Sequence, residues 1–112
     1  MEHEANKFLF DITESCRKIH EFTAGIDFET YSKDILVKSA VERQFINIGE
    51  ALNRIKQTDE TIFETIADAS QIIGFRNILV HGYDIVSDQL VWEIVSEKIT
   101  ELRRLCEKGI SE

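Results

Sequence analysis

Proline is absent from the sequence, and only five of its 112 residues are glycine. Because proline interrupts helices and glycine favours turns, their scarcity argues against a protein of short strands and tight turns and favours long, uninterrupted helices. The length suits a single domain, residues 1–112, with one hydrophobic core and a large surface relative to its volume. Association with a second copy of the chain would cover part of that surface.

Long apolar runs and cysteines are also scarce. No stretch approaches the roughly 18 apolar residues that a membrane-spanning helix needs, and the amino terminus is polar and acidic. We therefore expect a cytoplasmic protein that does not associate with membranes. Cys16 and Cys106 each follow an apolar residue by four positions, so they continue helical apolar stripes. This pattern favours buried, reduced thiols over a disulfide or a redox role.

Basic residues are fewer than acidic residues. Thirteen Lys and Arg residues face twenty-one Asp and Glu residues, which gives a formal net charge of -8 at pH 7. This balance excludes an overall basic field that would gather nucleic acid, so any contact with RNA has to be confined to a cleft. The acidic surface also suits a protein partner with a basic face. The basic pair Arg17-Lys18 is either a solvated helix face or part of an RNA-binding rim.

Familiar metal-binding patterns are missing as well. The helical zinc motif needs a second histidine four positions after the first, but His3 and His20 are followed there by Lys7 and Ala24. We predict no metal site and no cofactor.

Apolar residues recur at three- and four-residue steps along most of the chain. These stripes predict long helices at residues 4–24, 33–57 and 89–108, a short one at 60–67, and one from 68 or 70 to about 83. Residues 27–32 are either a connection or a short turn of helix. Gly25 and Gly109 are the expected stops of the first and last helices. We therefore predict an all-α antiparallel bundle of four main helices plus one short helix.

Residues 74–83 gather polar, chemically capable side chains within an otherwise apolar run. If this stretch is helical, Arg76 and Tyr83 lie roughly 20° apart around its axis. Asn77 and His81 lie about 40° apart, and all four share an arc of about 160°. A permanently charged Arg fork beside a His that exchanges a proton near neutral pH suits phosphate chemistry, although the pair also fits a surface contact or a core histidine. The apolar residues left for the core are Phe75, Ile78 and Leu79.

Three residues in the second long helix stand out from its apolar stripe. Gly49 costs about 1 kcal/mol relative to alanine in mid-helix, and close backbone packing is a plausible compensation. Glu50 either orients Arg76 across the fold or is a surface carboxylate. Gln44, a polar residue inside the stripe, indicates a helix interface or a buried hydrogen bond.

The spacing Arg-x-x-x-x-His-x-Tyr, with Asn directly after the Arg and Gly before the Tyr, resembles the motif of the HepT-like family of HEPN-domain proteins. The similarity covers most of the chain, from about residue 11 to 105, with no departure at the motif positions. Further similar segments are Ile48-Gly49-Glu50-Ala51, Ile73-Gly74-Phe75-Arg76-Asn77 and Val91-Trp92.

This resemblance implies an all-α HEPN-like fold and a metal-independent RNA endonuclease that acts as the toxin of a toxin-antitoxin pair. Such cleavage uses the neighbouring 2'-hydroxyl as nucleophile, so it needs proton transfer and a charge that stabilises the phosphorane. His81 is the candidate for proton transfer, and Arg76 is the candidate for phosphate binding and transition-state stabilisation. The family is expected to form homodimers, which would bring two histidines and two arginines into one cleft.

The resemblance also implies a switch at Tyr83. In the family, a minimal nucleotidyltransferase antitoxin attaches AMP to this hydroxyl, and the added charge and bulk would block a phosphate-binding cleft. Tyr83 could equally stack on a base. Asn77 could fix the imidazole, bind a phosphate oxygen, or remain a surface amide.

Two other classes of function remain open. One is a non-catalytic adaptor that binds nucleotide or presents substrate to a nucleotidyltransferase subunit. The other is a plain structural helical dimer.

Overall fold

A computed structural model describes residues 2–111, apart from the side chains at positions 2, 3 and 83. This part of the chain contains seven helices, one short 3-10 turn and no strand, which confirms the all-α fold. The helices are α1 (Glu2–Thr23), α2 (Phe28–Lys33), α3 (Ile35–Thr58), α4 (Glu60–Glu64), α5 (Ala69–His81), α6 (Asp88–Glu97) and α7 (Ile99–Ser111). The 3-10 turn is Tyr83–Ile85.

Local sequence signals explain where several helices begin and end. A side-chain oxygen accepts a backbone N–H in the first turn of α2, α3, α4 and α6, from Asp27, Asp34, Asp59 and Ser87 respectively. Gly25, just after α1, has φ 75°, a left-handed conformation that glycine adopts without steric cost. Residues 27–32 therefore contain a capped helix rather than a plain connection, and α3 starts at Ile35.

Four long helices form the centre of the fold. Helix α1 packs along α3 and α7, and α5 packs on α3. The buried apolar residues make one cluster, and Phe45 of α3 meets Phe75 of α5 edge to face with ring centroids 5.2 Å apart. This contact fixes the helix that carries the motif against the centre of α3.

The cysteines lie inside this core. Cys16 on α1 and Cys106 on α7 are buried, free thiols, as predicted. Burial raises the pKa of both thiols, that of Cys106 to about 12. No helix in residues 2–111 is long and apolar enough to cross a membrane.

The last predicted helix, residues 89–108, is two helices. Lys98 leaves the regular helical conformation at φ -119° and ψ -27°, so α6 can pack against α2 while α7 packs along α1. Gly109 does not end α7, which continues to Ser111. Instead, a Cβ at Gly109 would lie 3.1 Å from Leu9 Cδ1, so this glycine serves the close approach of α7 to α1.

The motif helix is shorter than predicted. It begins at Ala69 and ends at His81, because the backbone at Gly82 departs to φ -133° and ψ 42°. The preceding Asp68 has φ 65° and does not cap α5 with its side chain. It pairs instead with Lys98 Nζ at 3.0 Å.

Candidate functional site

Arg76 lies in a notch between α5 and α3. A Cβ built on Gly49 would lie 2.3 Å from Arg76 Cβ and 2.4 Å from Arg76 Cγ, distances that real atoms do not tolerate. Only glycine at this position lets the stem of the arginine lie directly against the α3 backbone. The close packing predicted for Gly49 is therefore present, and its partner is Arg76.

Two oxygens hold the guanidinium of Arg76. Arg76 Nη1 donates to Asn77 Oδ1 at 2.9 Å, and Arg76 Nη2 donates to Glu50 Oε1 at 3.2 Å. Of the two alternatives left open for Glu50, the contact with Arg76 across the fold is present, between side chains that are 56% and 25% exposed respectively. Because a guanidinium has more N–H donors than these two contacts use, donors remain for an anion.

The remaining side of Arg76 faces a small cavity. It has a volume of about 240 Å³ and is lined by Gly49, Glu50, Asn53, Arg54, Ile73, Arg76 and Asn77. Asn53 and Arg54 were not among the predicted site residues. Their spacing of three and four positions from Glu50 is the signal that could have identified them, because such positions share a helix face.

The Nε atom of Arg76 is buried and has no hydrogen-bond acceptor among the described atoms. A buried donor without a partner is costly, so this atom favours the arrival of an acceptor from outside. The cavity beside Arg76 therefore has the charge and the open donors that an anionic ligand would use.

His81 does not share this cavity. It is the last residue of α5 and is exposed, and it lies five positions after Arg76, or about 140° around the helix. Within one chain the structure brings together Arg76, Asn77 and Glu50, whereas His81 is not among the residues that line their cavity.

The side chain of Tyr83 lies outside the described part of the structure. Its backbone belongs to the 3-10 turn and not to α5. The predicted alignment of Tyr83 with Arg76 on one continuous helix is therefore wrong, because α5 ends at His81.

The face of α5 turned away from Arg76 is small and apolar. A Cβ at Gly74 would meet nothing within 4 Å. Ile78, which was predicted to join the core, is 38% exposed, because its side of α5 faces a cavity shared with α6. That apolar cavity, of about 370 Å³, is lined by Gln71, Ile72, Gly74, Phe75, Ile78, Leu90, Ile94 and Lys98.

No group of three or more His, Cys, Asp or Glu side chains in the described part of the chain is placed to hold a metal ion.

Comparison with known proteins identifies the family. The family model described as "Ribonuclease HepT-like" matches residues 12–109. The chain belongs to the HepT-like ribonuclease family. The match includes every motif position from Glu50 to Tyr83, so the resemblance carried by the Arg-x-x-x-x-His-x-Tyr spacing is confirmed, as is the ribonuclease class.

Curated relatives agree with this assignment. MJ1380 of Methanocaldococcus jannaschii, which is named as a candidate RNase, is 32% identical over 101 residues, covering 90% of this chain and 92% of that protein. MJ1216 of the same organism, named in the same way, is 31% identical over 105 residues, covering 94% and 86%. A Thermococcus cleftensis protein named as a candidate ribonuclease HepT is 32% identical over 108 residues, covering 96% and 97%. No solved structure gives a significant match to this HepT-like chain.

Proposed function

We propose that this HepT-like protein is the toxin of a toxin-antitoxin pair and acts as a metal-independent endoribonuclease on cytoplasmic RNA. Its active site is composite and forms at the interface of a homodimer. The observation that carries the proposal is the placement of the two motif residues: Arg76 lies in a cavity with guanidinium donors still unused, and the exposed His81 of the same chain does not line that cavity.

RNA cleavage needs Arg76 and His81 at the same phosphate. The 2'-hydroxyl must lose a proton as it attacks, and the crowded phosphorane must be stabilised by positive charge. Arg76 supplies the charge and the planar donors, and His81 supplies proton transfer. Since about 140° of helix separates them in one chain, a second copy that presents its own His81 near Arg76 solves the geometry.

The exposed face of α5 suits that second copy. A Cβ at Gly74 would meet nothing within 4 Å in its own chain, so no close packing there explains the mid-helix cost of glycine, about 1 kcal/mol. A partner helix that packs closely at Gly74 would compensate for this cost. The neighbouring Ile78 and the apolar cavity beside it would be covered by the same contact.

Tyr83 is the residue through which we propose that an antitoxin regulates the site. We propose that a minimal nucleotidyltransferase transfers AMP to the Tyr83 hydroxyl, two residues after His81 in the chain. The added phosphate would compete for Arg76, and the added nucleotide would block the cleft. Incubation with the cognate transferase and ATP is expected to add mass in AMP steps, and Tyr83→Phe should abolish the addition.

An adaptor without catalysis is the second candidate. The net charge of -8 favours it, because an acidic surface repels RNA and attracts a basic protein. His81 transfers a proton in the ribonuclease and has no catalytic role in the adaptor.

Cleavage of total cellular RNA by purified protein in EDTA separates them. We expect the native protein to remove specific RNA species and His81→Ala, with its native oligomeric mass, to leave them intact. Cleavage that persists in His81→Ala would refute the assigned roles. No cleavage by the native protein, with Tyr83 unmodified by mass spectrometry, would favour the adaptor.

A further inference from the structure

A polar groove lies between α1 and α3, next to the cavity that holds Arg76. Its volume is about 540 Å³. Glu50 and Arg54 line both the groove and the smaller cavity, so the two spaces adjoin at these residues. A strand bound at Arg76 that extends past the outer side of α3 would therefore enter this groove.

The cations of the groove are free to bind a ligand. Lys7, Lys18 and Arg54 line it, are exposed, and make no ion pair with any described carboxylate. Most other cations of the described chain are occupied by Asp or Glu, including Arg17, Lys38 and Arg104. Three unoccupied cations therefore converge on one groove.

The acidic residues of the groove are mostly neutralised. Glu14 pairs with Arg17 at 3.0 Å, and Glu50 pairs with Arg76 at 3.2 Å. Asp11 is the third carboxylate in the lining. Arg17 also pairs with Glu21, so these pairs, the unpaired Asp11 and the three unpaired cations together leave a local excess of one positive charge, in a protein whose net charge is -8.

The uncharged groups of the groove suit nucleobases. Phe8 is partly buried and offers a ring on which a base can stack. Asn47 offers an amide that can pair with base edges. Gln44 also lines the groove, and its Oε1 is buried without a hydrogen-bond partner among the described atoms.

We propose that the α1–α3 groove binds the single-stranded RNA that flanks the cleaved phosphate. Lys7, Lys18 and Arg54 contact backbone phosphates, and Phe8 and Asn47 contact bases. The proposal rests on the ribonuclease function proposed above and adds the path of the substrate. It also accounts for how an acidic protein holds RNA, because the favourable charge is concentrated where the strand runs.

The test uses His81→Ala, so that RNA is bound but not cut, and a fluorescent single-stranded RNA of about 12 nucleotides that spans the groove. The groove triple Lys7→Gln, Lys18→Gln and Arg54→Gln is compared with a control triple that makes the same charge change. The control replaces Arg43, Lys56 and Lys108, which are also exposed and lie outside the groove. Affinity is measured by fluorescence anisotropy over a range of salt concentrations.

The groove triple should weaken binding at least tenfold at low salt. The slope of log K against log salt should fall by about 2, because each lost phosphate contact on a single strand contributes about 0.7. The control triple should keep the native slope. Equal losses of RNA affinity in the groove triple and the control triple would overturn the proposal, since they would show an effect of net charge alone.

Cleavage separates this proposal from the function on which it rests. With His81 present, the double variant Lys7→Gln and Lys18→Gln, which keeps Arg54 of the Arg76 cavity, should cut a dinucleotide at the native rate and lose the native preference for the 12-nucleotide substrate. If it cuts both substrates as the native protein does, the groove proposal fails and the ribonuclease stands. If binding depends on the groove but the native protein cuts nothing, the groove stands and the ribonuclease proposal fails.

Two further outcomes would overturn the groove proposal. One is an absence of RNA binding by His81→Ala, which would also count against the ribonuclease. The other is native RNA binding by the groove triple together with a changed oligomeric mass, which would assign the groove to a protein contact.

Discussion

Arg76 owes its position to residues on two helices. Gly49 of α3 leaves room for its stem, while Asn77 and Glu50 hold its guanidinium. The guanidinium is therefore oriented before any ligand binds. Binding then does not have to include the entropy cost of ordering this side chain.

Gly49→Ala tests this notch. The added Cβ would collide with Arg76 Cβ and Cγ, so we expect RNA cleavage to fall at least tenfold because the arginine is displaced. The free energy of unfolding should fall by up to about 2 kcal/mol, since overpacking costs about 1–3 kcal/mol and alanine restores about 1 kcal/mol of helix propensity.

The matched control for this substitution is Gly109→Ala. Its Cβ would meet only the terminal methyl of Leu9, at 3.1 Å, so native cleavage is expected. Native cleavage by Gly49→Ala would show that the notch does not position Arg76.

Glu50→Gln separates charge from shape at the same site. Glutamine can still accept from Arg76 while the competing negative charge is lost, so we expect RNA to bind a few-fold more tightly. Because Glu50 is 56% exposed, the free energy of unfolding should change by less than about 1 kcal/mol. Weaker RNA binding, measured by anisotropy with His81→Ala as background, would show that the carboxylate itself is needed to orient Arg76.

At the residue scale, the sequence predicts those features that depend on a single helix turn or a single apolar stripe. The packing at Gly49 and the buried cysteines were predicted, and the contact between Glu50 and Arg76 was one of two alternatives. The exposure of Ile78 was not, because apolar periodicity alone does not distinguish a core from a surface that a partner would cover.

At the scale of helices, capping residues and stripes located most elements, and the errors have local causes. The break at Lys98 occurs without Gly or Pro, so it follows from the different packing partners of α6 and α7 and not from a sequence signal. The end of α5 at His81 coincides with Gly82, a residue type that often ends helices, whereas the predicted helix continued to about residue 83.

The packing of α7 on α1 carries a pH dependence. His20 of α1 contacts Arg103 and Thr100 of α7, and burial, with the charge of Arg103, lowers the pKa of this imidazole below its usual 6.5. In the window between the lowered pKa and 6.5 the unfolded chain binds more protons, so stability is full above about pH 6.5 and falls as pH drops.

His20→Gln should remove that part of the pH dependence. Urea unfolding at a series of pH values from 5 to 8 measures it, with the exposed His81→Gln as control. A native pH profile in His20→Gln would show that this imidazole titrates normally in the folded state.

The outer face of α5 is where we expect the second copy. Gly74→Leu would place a branched side chain into the proposed contact, and its Cβ would meet nothing within its own chain, so the protomer should fold and the dimer should dissociate. Light scattering should then give the 13.0 kDa of one chain in place of twice that mass.

The control for that variant is Ser96→Leu, which adds a similar side chain at an exposed position of α6 and should keep the dimer. A dimeric Gly74→Leu would move the interface elsewhere. A native chain of 13.0 kDa at micromolar concentration would remove the dimer altogether.

At the scale of the whole molecule, we propose that this acidic protein binds RNA at the Arg76 notch and in the α1–α3 groove. The family and fold could be predicted from the sequence because the motif and stripes are local. The arrangement of two chains that we propose for the active site could not, since no spacing within one sequence describes where a second chain would lie.

The most direct test of the composite site mixes two inactive variants. His81→Ala supplies an intact Arg76, and Arg76→Gln supplies an intact His81, so a mixed dimer contains one site with both groups. We predict that each variant alone leaves RNA uncut in EDTA and that mixing, after subunit exchange, restores cleavage to a substantial fraction of the native rate. Verified mixed dimers that cut no RNA, while the native dimer does, would contradict a site built from Arg76 of one chain and His81 of the other.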